Sequence, residues 1–154
     1  MKKEAHEGAA QKVIEVLMED HNIVLEQVSE FRATLLDFYE GALNNPEEKF
    51  SPFISFFKND LPVHIKREEK DLLPLHEKLF PSAPRYRIIL KHEHDLIQKV
   101  FQRFHRALKN LNLPGTNEKK LKAVMLESGL TLVSLLRDHT TFEDHILFPE
   151  LLEN

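Results

Sequence analysis

Two short segments of the chain each carry a histidine and a glutamate four residues apart, a spacing that suits metal binding. One segment reads His64-x-x-x-Glu68 and the other reads His139-x-x-x-Glu143. On a helix this spacing places both side chains on the same side, about one turn apart, as two ligands of one ion require. In the second segment both residues fall within an otherwise apolar stripe, where unpartnered polar groups would cost several kcal/mol. We therefore expect these side chains to bind a cation.

The two segments belong to an internal repeat that covers most of the chain. Residues 64–74 and 139–149 match at an offset of 75 residues (139 − 64), through histidine, glutamate, a second acidic residue, leucine and proline. Farther upstream, His21 matches His94 at an offset of 73 residues (94 − 21), and an acidic residue precedes each of them. Because several chemically specific positions agree at once, the sequence predicts two copies of one helical hairpin.

The elements that must position these residues are helices. Apolar residues recur with helical spacing in four long segments, and Gly, Asn and Pro mark the loops between them. The predicted helices span residues 10–38, 46–79, 84–111 and 117–152. No segment alternates with a period of two residues. We therefore predict an all-α fold, an antiparallel up-down-up-down four-helix bundle in which two hairpins form an internal pseudo-repeat.

Individual residues within these segments carry further predictions. Pro62 is expected to kink the second helix, and Pro52 to separate a short leading segment from it. Asn45 is a predicted N-cap of the second helix, and Asn117 or Thr116 of the fourth. On the last helix, the predicted core-facing stripe consists of Leu132, Leu135, Leu136, His139, Phe142, Glu143 and Ile146.

The other histidines are assigned no ligand role. His76 is expected to be exposed, and His92 and His145 are expected to face away from the core. His105 shares a face with His94 but lies about 16 Å farther along the helix axis, too far for the same site. A stripe of aromatic residues is predicted to be plain core, and its members are Phe53, Phe57, Phe101, Phe104 and Phe142.

Composition excludes several classes of site and partner. The chain has 154 residues, no cysteine and a formal net charge of −4. Without cysteine, only histidine and carboxylate can hold a metal, and disulfides and cysteine catalysis are excluded. No basic stripe indicates nucleic acid or an anionic membrane, and no signal or membrane-spanning segment is evident. We predict a single domain over residues 1–154, with a frayed polar tail over residues 1–10, and a cytoplasmic location.

The candidate ligands are too many for one ion and suit two. They are His21, His64, Glu68, His94, His139 and Glu143. Divided over two ions, each hairpin supplies two imidazoles, either glutamate can bridge, and open positions are left for small molecules. Imidazole and carboxylate ligands in this arrangement favour iron over manganese or zinc. Because two carboxylates cannot balance the charge of two divalent ions, a bridging oxide or hydroxide is expected.

This set of residues resembles the hemerythrin-like family of four-helix proteins, also described as His-His-Glu cation-binding domains. The resemblance covers residues from about 12 to 152. It implies a non-haem di-iron centre that binds or senses dioxygen, handles nitric oxide or iron, or performs redox chemistry. The motifs that carry it are Asp20-His21, His64-x-x-x-Glu68-Glu69, Glu93-His94 and His139-x-x-x-Glu143-Asp144, with Leu-Leu-Pro or Leu-Phe-Pro after the two longer ones.

The chain departs from the oxygen-carrying members of that family at two places. Those proteins have His-x-x-x-His on the third helix, whereas here Gln98 follows His94 by four residues and Leu90 precedes it by four. Gln98 could ligate weakly or orient a bound water, and the missing histidine disfavours oxygen carriage. Carriers also place Asp five residues after the last-helix histidine. We choose Glu143 over Asp144 because Glu143 is matched in the repeat and lies on the core face.

Several functions stay open at this level. The leading hypothesis is a non-haem di-iron protein that binds or senses dioxygen or nitric oxide, or handles iron, with a small gaseous ligand as partner. The alternative is a di-iron or di-manganese redox enzyme of the peroxidase or oxidase type, although no catalytic acid–base pair is evident. A third hypothesis is an interaction module whose metal only stabilises the fold, and a fourth is a metal-free bundle with histidines bonded to glutamate. The sequence indicates no oligomeric state.

Overall fold

The computed structural model describes residues 2–83 and 85–153, except for the side chains of residues 2, 3 and 6. Within these ranges every regular element is helical, and no strand is present. In chain order the elements are α1 (Lys2–Tyr39), α2 (Pro46–Ser55), π1 (Phe56–Asp60), α3 (Leu61–Arg67), π2 (Glu68–Leu72), α4 (Leu73–Leu79), α5 (Arg85–Asn110), α6 (Glu118–Phe142), π3 (Glu143–Leu147) and α7 (Phe148–Glu153). The π elements are single wide turns within longer helices.

These elements form four continuous helical rods. Rod A is α1, rod B runs from α2 to α4, rod C is α5, and rod D runs from α6 to α7. Rod A packs on rods B and D, rod C packs on rod D, and α2 also contacts α5. The predicted all-α class with four helices is confirmed, whereas the up-down-up-down order of the rods stays a prediction. No described helix is both long and apolar enough to cross a membrane.

Rod A begins earlier than the sequence pattern indicated. Residues 2–10 are helical, whereas a frayed tail was expected there, and Ala10 is buried. The segment contains three alanines and only one glycine, Gly8, so its helix propensity is high. His6, which was expected in the tail, has its side chain outside the described set.

The connections between rods use the expected turn residues, with one difference in capping. Gly41 follows rod A with a φ of 78°, a left-handed conformation that glycine adopts without strain. Asn117 caps rod D as predicted, because its side chain accepts a hydrogen bond of 3.1 Å from the backbone N–H of Lys120. Asn45 occupies the N-cap position of rod B but has a φ of 53° and makes no side-chain cap bond.

Each π turn is followed by a proline at the second position of the next helix. Pro62, Pro74 and Pro149 occupy this position after π1, π2 and π3. A proline has no N–H and its ring clashes with the carbonyl four residues earlier, so a wider turn relieves both problems. The widened pattern is visible where the N–H of Leu73 donates to Glu68 and that of Phe148 donates to Glu143, both five residues back. Rod B is helical throughout, so the predicted separation at Pro52 is absent, whereas the predicted kink at Pro62 stays a prediction.

The third π turn also changes which residues of rod D face the core. Phe142 and Ile146 are 41% and 56% exposed, so their predicted burial is wrong. Leu147 and Phe148 are buried in place of Ile146, because the wide turn adds one residue and rotates everything that follows, whereas Phe142 precedes the turn and lies at the edge of the stripe. Leu132, Leu136, His139 and Glu143 precede this rotation and are buried as predicted.

Two apolar clusters lie on either side of a polar layer. The larger cluster is built around Phe31, which meets four other phenylalanine rings edge to face at centroid distances between 5.1 and 5.9 Å. The smaller cluster includes Leu72, Leu147 and Phe148. Four phenylalanines predicted as core are buried, namely Phe53, Phe57, Phe101 and Phe104.

Candidate metal centre

All six candidate ligands lie together in the polar layer between the two clusters. Rod A contributes His21, rod B contributes His64 and Glu68, rod C contributes His94, and rod D contributes His139 and Glu143. Each of these side chains is at most 7% exposed. The helical spacing and the repeat therefore identified a set of residues that share one buried location.

Glu68 lies at the middle of the layer and faces two pairs of histidines. Its Oε1 contacts Nε2 of His64 directly and is 4.0 Å from Nε2 of His21. Its Oε2 is 2.7 Å from Nε2 of His94 and 3.1 Å from Nε2 of His139. Two groups of three ligand atoms result, each within 4.8 Å, and Glu68 is common to both. This is the arrangement of a carboxylate that bridges two cation sites.

Glu143 spans the same two groups from the opposite rod. Its Oε1 contacts Nε2 of His139, and its Oε2 is 3.6 Å from Nε2 of His21. Nε2 of His21 and Oε2 of Glu143 are buried and have no hydrogen-bond partner within residues 2–83 and 85–153. Buried polar atoms without partners are costly, and two of them only 3.6 Å apart fit a site built to hold cations.

A second acidic residue holds the outer nitrogen of each imidazole. The Nδ1 atom of His21 lies 2.7 Å from Asp144, and that of His64 lies 3.0 Å from Asp20. The Nδ1 atom of His94 lies 3.1 Å from Glu69, and that of His139 lies 2.6 Å from Glu93. A carboxylate at Nδ1 fixes that proton, so the Nε2 lone pair is directed toward the centre. Histidines that bind metals have this kind of partner almost always.

The four outer carboxylates follow the repeat. Asp20 bonds to His64 and Glu93 bonds to His139, each within its own hairpin. Glu69 bonds to His94 and Asp144 bonds to His21, each across to the other hairpin. Sequence reasoning assigned none of them this role. The signal was present, because all four are acidic at matched positions in both copies.

Comparison with known families identifies the type of site. The family model of the hemerythrin HHE cation-binding domain matches residues 1–76, which comprise rod A and most of rod B. This first part of the chain is therefore similar to that family of cation-binding domains. The matched part contains His21, His64 and Glu68, and the second hairpin places the same residue types around the same centre. Comparison with curated proteins and with solved structures gives no match.

The carboxylates of the candidate centre stabilise protons on its imidazoles. Burial alone lowers the pKa of the four imidazoles, but hydrogen bonds and charges of the carboxylates outweigh burial and raise it. Burial raises the pKa of Glu68, but hydrogen bonds from the histidines bring it well below its ordinary value. Burial and the charge of Glu68 raise the pKa of Glu143. A cation that binds here must therefore displace protons.

One outer carboxylate has a partner that its repeat counterpart lacks. The guanidinium of Arg67 donates to Asp20 at 2.7 and 2.8 Å. Burial raises the pKa of Asp20, but the hydrogen bonds from Arg67 and His64 outweigh it and lower the pKa. The residue matched to Arg67 is Phe142, which is exposed. The two halves of the candidate centre are therefore electrostatically unequal.

The remaining histidines and Gln98 lie outside the centre. His92 and His145 are exposed as predicted, and His105 is half-buried against Phe101. Gln98 is exposed and lines a separate surface groove, so it faces neither group of ligand atoms. At the two places considered for a fifth histidine, the chain therefore has a buried apolar residue, Leu90, and a solvent-facing amide, Gln98.

His76 and Tyr86 form a buried polar pair that sequence reasoning missed. His76 is 7% exposed, which contradicts its predicted exposure, and its ring lies 4.5 Å from that of Tyr86. The Tyr86 hydroxyl is buried and has no hydrogen-bond partner among the described residues. Burial and the charges of Glu143 and Glu68 raise the pKa of Tyr86, so the phenol stays protonated. The matched residues of the other copy are apolar, so the repeat pattern gave no signal.

Proposed function

We propose that this protein binds two iron ions and uses them to bind or sense dioxygen or nitric oxide, or to handle iron. The proposed ligands are His21, His64, Glu68, His94, His139 and Glu143. The observation that supports the proposal most is the position of Glu68, because each of its oxygens faces a different pair of imidazole nitrogens. An antiparallel order of the four rods within one domain would give the two hairpins their pseudo-two-fold relation.

The protein's own residues would position and shield the ions. The outer carboxylates Asp20, Glu69, Glu93 and Asp144 fix the orientation of the imidazoles. Phe148 stacks on His21 with ring centroids 5.5 Å apart, which keeps water from that side. Bound ferrous ions would supply electrons and open coordination positions for a small ligand.

The space beside the centre favours a diatomic ligand over an organic substrate. A cavity of about 10 Å³ lies against His64, Glu68, His94 and His139, which is room for about one water-sized molecule. Thr140 and apolar side chains, Leu61 among them, form its other walls. A ligand the size of dioxygen or nitric oxide fits this description, whereas a peroxidase or oxidase acting on organic molecules would need a larger pocket.

Metal analysis combined with absorption spectra tests the proposal. We expect about two irons per chain and a near-ultraviolet band that changes when nitric oxide or dioxygen is added to the reduced protein. Glu68→Ala is expected to lose the iron, whereas Glu48→Ala, which changes an exposed glutamate, is not. Protein from iron-replete cells that contains no iron and takes none up would contradict the proposal, as would a reduced iron protein whose spectrum ignores both gases.

A further inference from the structure

A surface groove between rods B and C is large enough for an organic ligand and is distinct from the small cavity beside the metal centre. Its volume is about 550 Å³, within the usual range of small-molecule sites. Apolar side chains such as Leu61 and Ile97 form its floor. Its rim carries Lys58, Lys66 and Lys109.

One wall of the groove is a row of nearly parallel rings. The rings of Phe57 and Phe101 stack with centroids 4.9 Å apart and an interplanar angle of 28°. Phe101 in turn stacks with His105 at 5.5 Å and 18°. Both phenylalanines are buried, whereas His105 is half-buried and ends the row at the groove. A planar ligand could continue the stack, since offset stacking of aromatic rings is favourable.

The charge of the groove is positive although the chain as a whole is negative. No acidic side chain lines the groove among the described residues, and its three lysines are exposed. None of these lysines pairs with a carboxylate within residues 2–83 and 85–153. Lys109 lies one helical turn after His105 on rod C, and Lys58 follows Phe57 on rod B, so both lysines lie beside the ring row. Burial lowers the pKa of His105, and the charges of Lys109 and Lys58 lower it further.

The groove adjoins the metal centre. Leu61, Ile65 and Ile97 line both the groove and the small cavity that touches the candidate ligands. This layer of aliphatic side chains lies between the two spaces. A molecule in the groove would therefore lie close to the metal centre without reaching the ligands.

We propose that this groove binds a planar aromatic anion, with its ring stacked on His105 and its anionic group between Lys58 and Lys109. The ring row requires flat aromatic chemistry, and the unpaired lysines require negative charge. A phosphorylated or carboxylated heteroaromatic molecule of the size of flavin mononucleotide matches both requirements and the volume.

Calorimetric titration with three probes tests this assignment. Flavin mononucleotide carries both ring and phosphate, riboflavin carries the ring alone, and decanoate carries a negative charge on an aliphatic chain. Flavin mononucleotide is expected to bind roughly ten-fold more tightly than either of the others, and less tightly as salt concentration rises. Decanoate binding as tightly as flavin mononucleotide would overturn the aromatic assignment, equal affinity of riboflavin would overturn the anionic one, and no binding of any probe would overturn both.

Variants locate the bound molecule. The double variant Lys58→Gln and Lys109→Gln is expected to weaken flavin mononucleotide roughly ten-fold and to leave riboflavin unchanged. His105→Ala is expected to weaken both flavins. Lys49→Gln and His92→Ala alter exposed residues outside the groove and serve as matched controls. Equal losses in the control variants would contradict the assignment. Iron content is measured separately on each variant, so failure of this inference and failure of the proposed iron function give different results.

Discussion

Each candidate-ligand histidine uses its two ring nitrogens for different purposes. Nε2 faces Glu68 or Glu143 at the centre, and Nδ1 faces an outer carboxylate. Because the outer partner fixes the proton on Nδ1, it determines how well the ring can bind a cation. The acidic residues around the centre therefore belong to the site even though they are not proposed as ligands.

Asp144→Asn tests this orienting role. The change keeps the shape of the side chain but removes the charge that holds Nδ1 of His21 at 2.7 Å. We expect metal affinity, measured by competition with a chelator, to fall about 10- to 100-fold, as is usual for outer partners of metal-binding histidines. Asp138→Asn alters an exposed residue that immediately precedes His139 but points to solvent, and it is expected to have no effect. Unchanged affinity in Asp144→Asn would show that the hydrogen bond does not orient the ring.

The raised pKa values of the four imidazoles give the metal-free protein a defined pH dependence of stability. Above the ordinary histidine pKa of about 6.5, the folded protein holds more protons on these rings than the unfolded chain. That stabilisation is complete below about pH 6.5 and is lost as pH rises through the folded-state pKa values. The melting temperature of metal-free protein is therefore expected to fall between pH 6.5 and 9.

Metal-loaded protein provides the comparison for this pH series. A bound cation replaces the protons, so the melting temperature of the metal-loaded protein is expected to vary less over the same pH range. Metal affinity is expected to increase with pH, because protons compete with the metal. The lowered pKa of Glu68 has the opposite effect on stability. Its contribution to folding stability is complete above the ordinary glutamate pKa and is lost as pH falls from that value through the lower folded-state pKa. A metal-free melting temperature that does not change between pH 6.5 and 9 would contradict the assigned pKa shifts.

At the scale of single elements, the π turns decide which residues face the core. The turns π2 and π3 are repeat-related, and each begins with a proposed ligand, Glu68 or Glu143. Ordinary helical periodicity fails after them because each turn contains one additional residue. The repeat carried the correcting signal, since Ile146 is matched to Asp71, which is charged.

Two neighbouring residues of π3 test this rotation directly. Ile146 is 56% exposed and Leu147 is 3% exposed, although simple helical spacing places Ile146, and not Leu147, on the core-facing stripe. Leu147→Ala is expected to lower the free energy of unfolding by about 2–5 kcal/mol, because it opens a cavity beside Phe148. Ile146→Ala is expected to change it by less than about 0.5 kcal/mol. Urea unfolding measures both values, and similar losses in the two variants would contradict the π turn.

At the scale of the whole molecule, the repeat explains which parts of the candidate site could be predicted from the sequence. Six polar residues at matched positions on apolar stripes could be assigned to one buried location, since such positions in a helix pair converge. The hydrogen bonds that Glu69 and Asp144 make across the two hairpins could not be predicted from the sequence, because they depend on how one hairpin packs on the other. The pair formed by His76 and Tyr86 was hidden for a different reason, since it breaks the repeat.

Anomalous X-ray scattering from crystals of the metal-loaded protein is the most direct test of the central proposal, that four imidazoles and two carboxylates hold two ions. The proposal predicts two anomalous peaks, one next to Nε2 of His21 and His64 and the other next to Nε2 of His94 and His139, with Glu68 between them. A single peak, or peaks away from these nitrogens, would contradict it.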